Sequence, residues 1–436
     1  MIIRIYNKQY KRGVFLINKN SIKKVESSNY EELRVPLYDS YCFSNIFGTI
    51  KSLFNIKTSK LLPLDVIGEK NISSNKVVFF LIDAFGWSFY EKYKNYSKFL
   101  LDIEKRGVVS KLTSQFPSTT TANITTALSG LPVYEHGIYE WFYYEKEVDD
   151  IITAFLFKEA RNNKSQSLKD RNIDPKKFLP DSIFKELSKF KIKSYVYQPS
   201  YINNSEYTKT MCEGANLKGY KEYEDLFRNL ADDLFKNNNK EYYYVYLPEI
   251  DSIAHEFGWK SKEFDLGIIK LLEAFDKFYE EIKMINDISI IISADHGQIE
   301  TDLSKKNYLN EILPEIKNYL IKNKNGDFMS PGGYCRDLFL IVKENYLEEV
   351  KKIIKDKLKD SVYVFTYDEL IDIGFFKKNN KRLMDRCGNI IIIPKENNNI
   401  WWYEKGFFEF LFKGVHGGAS ISEMEIPFLY YRREKQ

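Results

Sequence analysis

Cysteine and histidine are both scarce here, four of each in a chain of 436 residues. The cysteines, Cys42, Cys212, Cys335 and Cys387, lie far apart without a Cys-x-x-Cys pair. Neither a disulfide scaffold nor a thiolate zinc site is expected from them. No apolar run approaches the roughly 18 residues that span a bilayer; the longest, residues 77–82, is strand-sized. Residues 1–20 alternate polar and apolar and show no apolar stretch with a small-residue cleavage site. No signal peptide and a reducing, cytoplasmic home are expected. An excess of one charge is also missing: 65 basic side chains face 61 acidic ones, for a net +4. That balance argues against bulk nucleic-acid or anionic-membrane binding, though not against a phosphate held in a local pocket.

What the chain does have is core: 44% of its residues are hydrophobic, enough for a large domain with an insertion, or for two domains. Continuous apolar runs at 77–83, 242–247 and 288–293, with a shorter one at 426–431, read as strands buried on both faces. Helix-like stretches lie between them at 87–105, 121–129 (closed by Gly130), 223–236 and 266–284. This alternation predicts an α/β fold with a mostly parallel central sheet flanked by helices. Lys- and Asn-rich segments at 161–177, 236–240, 322–327, 377–382 and 395–399 read as solvated loops. A second set of elements, a helix at 345–358 and strands at 338–342, 362–365 and 390–393, suggests a smaller inserted α+β subdomain. The expected organisation is an N-terminal extension at 1–74 packed on the core, a core at 75–300 and 414–436, and the insertion at 301–413.

Metal-ligand residues sit where the apolar runs end, the place where ligands collect in open α/β sheets. Asp83 ends the first run, Asp251 follows the second and Asp295-His296-Gly297 follows the third. His416 stands in Gly414-Val415-His416-Gly417-Gly418, just before the last. Asp251 and His255 are four apart, which puts both on one face of a helical turn, able to grip one ion. Each motif alone is weakly specific, but three aspartates and three histidines at strand ends make two ligand sets. Such a donor mixture suits zinc, and manganese or iron less selectively. Residues 116–123 read Phe-Pro-Ser-Thr-Thr-Thr-Ala-Asn and run from a strand-like stretch (108–113) into the 121–129 helix. A helix N-terminus favours a bound phosphate, and a threonine hydroxyl near a dication can become a nucleophile. The plainer alternative for this segment is a helix N-cap.

In this order, Asp83, the 116–123 segment, Asp251-x-x-x-His255, Asp295-His296-Gly297 and His416 resemble the metal-site motifs of the alkaline phosphatase superfamily, and in particular its type I phosphodiesterase/nucleotide pyrophosphatase branch. The resemblance runs from about residue 76 to the C-terminus and is vague in the insertion. It implies two divalent ions, zinc foremost. Asp251, His255 and His416 would hold one, and Asp83, Asp295 and His296, together with Thr120, the other. The branch pattern Phe-Pro-[Ser/Thr]-x-Thr-x-x-Asn selects Thr120 as nucleophile and Asn123 as a contact to a phosphate oxygen. Ser118, Thr119 and Thr121 leave the choice of hydroxyl open, and Ala122 replaces the usual proline. His136 matches a histidine that is not a ligand and is read as structural.

The implied activity is that of a hydrolase acting on phosphoric ester bonds, cleaving phosphodiesters or pyrophosphates of nucleotide type through a covalent phospho-threonine. A phosphomonoesterase or phosphonate hydrolase on the same scaffold is the alternative, as is a silent relative serving as an interaction subunit. The sulfatase pattern Cys/Ser-x-Pro-x-Arg is absent from 116–123. A small-molecule phosphate ester or nucleotide is the expected partner, with no stable nucleic-acid binding and no membrane. Residues 141–144 (Trp-Phe-Tyr-Tyr) offer a base-stacking surface, though packing is the favoured reading. Arg336 and Arg386 are candidate phosphate contacts, with surface salt bridges favoured for both.

Overall fold

A computed structural model describes residues 16–68, 72–161, 167–236 and 239–434. The readings on 1–15, on 69–71 and on parts of the 161–177 and 236–240 loops lie outside the described residues. Lys76–Ile82 is the central strand, and every one of its side chains is buried. It pairs in parallel with Glu241–Leu247 on one side and Ile288–Ser293 on the other. Across the eight-stranded sheet the order is Leu16–Ile17, Val108–Thr113, Glu425–Arg433, Ile288–Ser293, Lys76–Ile82, Glu241–Leu247, Lys193–Pro199 and Asn216–Tyr220.

All neighbours in this sheet are parallel except at Glu425–Arg433, which runs antiparallel to both flanking strands. The short helix Ile421–Met424 leads straight into that strand, so the chain enters from the end at which its neighbours finish and can only run back. A second sheet of seven strands is antiparallel throughout, from Val362–Thr366 at one edge to Lys158–Glu159 at the other. Its short hairpins, such as 146–149 between Phe142–Glu145 and Asp150–Thr153, permit only antiparallel pairing. The architecture is therefore mixed α/β: the large sheet is parallel at five of its seven pairings, its antiparallel pairing is confined to Glu425–Arg433, and the second sheet is antiparallel. The second sheet also recruits Phe142–Glu145, Asp150–Thr153 and Lys158–Glu159 in addition to strands from 301–413.

Helices cover the large sheet through apolar stripes of helical period. Lys262–Glu281 buries Phe264, Ile268, Leu271, Leu272, Phe275, Phe278 and Tyr279 and is capped by Ser261, whose side chain accepts from Phe264 N. Phe275 and Phe278 meet Phe80 of the central strand at 4.9 and 5.7 Å between ring centroids. The described N-terminal residues add the edge strand Leu16–Ile17, paired with Val108 and Val109, and the buried helix Ile46–Leu53.

One ionic group is sealed into this framework. Glu425 pairs with Arg34 at 2.6 Å and with Lys111 at 2.8 Å, and all three side chains are buried. Removing the shared acid leaves the buried Arg34 without a carboxylate and Lys111 with only the half-exposed Glu26, 2.8 Å away, and breaking a buried pair of this kind costs about 3–5 kcal/mol. Glu425→Gln should therefore lose about that much stability in urea denaturation at neutral pH, and an unchanged midpoint would sink the argument.

Candidate metal centre

The strand ends deliver the carboxylates. Ile82 closes the central strand, and Ala84 turns the chain with φ 60°, a left-handed conformation unusual for a non-glycine residue. Gly86 follows where a side chain has no room: a Cβ there would lie 2.6 Å from the Cα of Gly297. The Asp83 loop and the Asp295-His296-Gly297 loop thus touch backbone to backbone.

Each aspartate has one oxygen tied and one directed into the cluster. The Tyr246 hydroxyl donates to Asp83 Oδ2 at 2.5 Å, while Asp83 Oδ1 faces His296 Nε2 at 3.3 Å. Ala84 N and His296 N donate to Asp295 Oδ1 at 3.1 and 3.0 Å, and the buried Asp295 Oδ2, 3.3 Å from His296 Nε2, has no hydrogen-bond partner among the described residues. The Gln298 side-chain amide donates to Asp251 Oδ1, and Asp251 Oδ2 lies 3.1 Å from His255 Nε2.

The histidines are oriented by a common device. His255 Nδ1 lies 2.7 Å from Gly414 O, His296 Nδ1 3.0 Å from Gly297 O, and His416 Nδ1 3.1 Å from Ser118 O. These hydrogen bonds assign the proton to Nδ1 in each ring and turn the Nε2 lone pairs toward the carboxylates. Ligand atoms of Asp83, Asp295 and His296 lie within 4.8 Å of one another, as do those of Asp251, His296 and His416. His255 joins the second group through Asp251, so the six expected ligands converge as two adjoining sets that share His296.

Charge balance shows what such a pocket requires. Burial and the neighbouring Asp295 and Asp251 push the Asp83 carboxyl well above its ordinary range, and burial raises Asp295 as well. Burial and the adjacent His296 hold His416 well below the usual imidazole value. Between Asp251 and His255 burial opposes both charges, yet their ion pair prevails, keeping the acid low and the imidazole high. Crowded carboxylates, converging imidazole lone pairs and an orphaned Asp295 oxygen suit divalent cations, whose charge would relieve the repulsion.

Thr120 is the hydroxyl that meets this cluster, with Oγ1 3.0 Å from His296 Nε2 and 3.4 Å from Asp83 Oδ1. It opens the helix Thr120–Ser129, for which Thr119 is the N-cap, accepting from Ala122 N. The two hydroxyls before it are spent elsewhere: Ser118 donates to Gly418 O and Thr119 to Tyr139 O. Asn123 departs from expectation. It is fully buried, its amide nitrogen donates to Ser114 Oγ at 3.0 Å and Thr119 O at 3.1 Å, and its oxygen accepts from Gln115. One turn into the helix, it braces the Thr120 loop from behind, with both amide protons donated within the protein.

His136 is structural. Its Nδ1 accepts from Ile138 N, its Nε2 meets Thr126 Oγ1 at 3.0 Å, and burial with Arg386 nearby brings its pKa down to about 3. Arg336 and Arg386 are buried rather than on the surface, paired with Glu423 at 2.9 Å and Glu145 at 2.5 Å. Within 141–144, Trp141 is open to solvent, whereas Tyr143 and Tyr144 are core. Tyr246 and Gln298, which tie the aspartates, carried no sequence signal: each is one polar residue in or beside an apolar strand.

The family model for type I phosphodiesterase / nucleotide pyrophosphatase matches residues 77–418. Ectonucleotide pyrophosphatase/phosphodiesterase family member 3 of Rattus norvegicus is 34% identical over 95 residues, covering 20% of this chain and 10% of that protein. An uncharacterized pyrophosphatase/phosphodiesterase of Schizosaccharomyces pombe is 24% identical over 251 residues, covering 56% and 49%. The chain thus spans about half, or less, of the length of these curated relatives. Among solved structures, murine ectonucleotide pyrophosphatase/phosphodiesterase 5, an inactive threonine-to-alanine form in complex with AMP, superposes with a TM-score of 0.61 at 18% identity, covering 82% of this chain and 88% of that one. Phosphonoacetate hydrolase from Sinorhizobium meliloti, in complex with phosphonoacetate, gives 0.60 at 16% identity, covering 81% and 89%. At these identities the likeness is one of fold.

The ties on the carboxylates lead to a prediction. Tyr246→Phe frees Asp83 Oδ2 and should weaken one of two zinc-binding events about 10–100-fold in calorimetric titration. Two unaltered binding events would show that Asp83 is oriented without the tyrosine.

Proposed function

The chain belongs to the type I phosphodiesterase / nucleotide pyrophosphatase family, and from that premise we propose that it hydrolyses phosphodiester or pyrophosphate bonds of nucleotide-type esters, with Thr120 as nucleophile. The observation that carries this reading is the Thr120 hydroxyl at a helix N-terminus, 3.0 Å from His296 inside a buried carboxylate–histidine cluster. Asp251, His255 and His416 would hold one divalent ion, and Asp83, Asp295 and His296 the other, with zinc best matched to these donors. When bound, such ions supply Lewis acidity, polarising phosphoryl oxygens and easing loss of the hydroxyl proton.

In the proposed course, Thr120 Oγ1 forms a bond to phosphorus as the bond to the leaving oxygen breaks in line, and the leaving group takes up a proton. The hydroxyl proton passes to solvent, and Asp83 Oδ1 and His296 Nε2, the polar atoms beside the hydroxyl, are those that would hold the ion next to it. The N-terminus of Thr120–Ser129 favours the negative charge that gathers on the non-bridging oxygens. Water then attacks the phospho-threonine, the Oγ1–phosphorus bond breaks, and the hydroxyl is restored. Asn123 and Gln115 hold the loop from behind and keep the hydroxyl at its station. A cytoplasmic home belongs to the same proposal, supported by four free, buried cysteines.

The fold shared with phosphonoacetate hydrolase favours one second reading, cleavage of a carbon–phosphorus bond at the same site. Parallel assays on bis-p-nitrophenyl phosphate, p-nitrophenyl phosphate and phosphonoacetate separate diesterase, monoesterase and phosphonate activity. Chelation should abolish diester turnover, and added zinc or manganese should restore it. Thr120→Ala should lower turnover at least roughly a thousandfold while elemental analysis still finds the metal content of the unmodified protein. Near-normal rates in that variant would remove Thr120 from the mechanism.

A further inference from the structure

The candidate centre has two unlike ends. Thr120, His296, His416, His255 and Phe412 touch in succession: 3.0 Å from hydroxyl to imidazole, then ring centroids 3.7, 5.2 and 4.7 Å apart. The nucleophile stands at one end and an aromatic ring at the other. Phe412 is 40% exposed although it lies against a buried ionic cluster, and Leu411 beside it is 63% exposed. The ring of Tyr334 meets Phe412 edge-on at 6.0 Å and rests on the buried Trp401 at 5.3 Å, which backs the surface with fixed aromatic mass.

Phe412 is held in register with His255. Lys413 N donates to His255 O at 2.9 Å, and Gly414 O receives the His255 Nδ1 proton at 2.7 Å. The backbone after Phe412 is crowded, since a Cβ on Gly414 would fall 2.3 Å from Ala254 O. The wall is therefore built onto the ligand helix Glu249–Phe257 rather than draped over it.

In-line displacement puts the attacking and leaving oxygens on opposite sides of phosphorus. A group departing on the His255 side, away from Thr120, meets Phe412, which Tyr334 backs. We propose that this end is a leaving-group subsite for an apolar, aromatic moiety, so that the preferred ester carries an aryl-type group there rather than a pyrophosphate. The inference rests on the phosphoesterase reading above. Stacking and burial supply its selectivity, because a flat apolar group covers the exposed ring while a hydrated polyanion gains nothing from it.

Equilibrium binding to the zinc-loaded Thr120→Ala protein tests this without turnover, using bis-p-nitrophenyl phosphate, dimethyl phosphate and inorganic phosphate as probes. Adding Phe412→Ala should raise the Kd of the diaryl ester roughly tenfold and leave those of dimethyl phosphate and inorganic phosphate within about twofold. Phe412→Leu should recover only part of the loss. Equal weakening of all three probes, or a fall in bound zinc, would show that Phe412 merely shields His255 and would overturn the subsite. Unchanged affinity for the diaryl ester would overturn it too, while leaving the phosphoesterase reading intact. Failure of every probe to bind with Phe412 in place would remove that reading and the subsite with it.

Discussion

Placing Asp83, Asp295 and Asp251 in one buried pocket sets a charge balance that the surrounding chain has to meet. Two like charges about 4 Å apart repel by about 4 kcal/mol at an effective dielectric near 20, and burial adds the loss of hydration. The upward push on the Asp83 and Asp295 carboxyls is the visible result. Tyr246, Gln298 and two backbone amides each offer a proton to one of these acids, yet the inward oxygens are left facing imidazole nitrogens. Neutral donors orient the acids without cancelling their charge. The pocket is arranged for positive charge brought from outside, and the rest of the site can be read as what keeps the ligands from relaxing apart.

Part of that restraint comes from the second sheet. Arg336, in the loop between Gly332–Gly333 and Leu338–Leu340, makes two bonds of 2.9 Å to Glu423, with both side chains fully buried. Glu423 in turn accepts from Gly418 N, Ser420 N and the Ser420 hydroxyl, and so fixes the turn that follows His416. Gly418 has no alternative there, since a Cβ would lie 2.7 Å from Glu423 Oε2, and Gly417 adopts φ 118°. Residues 301–413 thus reach the rest of the chain through two buried ion pairs, Arg336–Glu423 and Arg386–Glu145. What reads in sequence as an arginine near glycines is a brace for the His416 loop.

Much of this was legible in the amino-acid order because each main motif combines a residue type with a place. Asp83, Asp251, Asp295 and His296 follow apolar runs long enough to be recognised as buried strands, and the chain's scarcity of histidine made His255, His296 and His416 conspicuous. Less legible was anything set by long-range pairing. The antiparallel return of Glu425–Arg433 depends on which end of the sheet the chain enters from, and no local pattern encodes that. Strands at 142–159 join a sheet built mainly from residues far along the chain, again without a local mark. Asn123 shows a limit of another kind: motif spacing placed it near the nucleophile, but one helical turn rotated its amide into the core. Its partners Ser114 and Gln115 are ordinary residues in sequence and informative only once folded.

The clasp between the nucleophile segment and the His416 loop explains why four hydroxyls in a row are not interchangeable. Ser118 O accepts from His416 Nδ1, the Ser118 hydroxyl donates to Gly418 O at 2.7 Å, and Gly417 N donates back to that hydroxyl at 3.3 Å. Thr119 caps the helix and donates to Tyr139 O. With those two committed, the first residue inside the helix, Thr120, is carried toward His296 by the turn of the backbone. Ser118 therefore sets the His416 ring and the approach of the following helix together. A displacement of one would misplace the other, so Thr120 and the carboxylate–histidine cluster behave as one mechanical unit. The Phe412 side chain lies outside these bonds, against His255 at the other end of the contacts, and the proposed subsite would set substrate preference there.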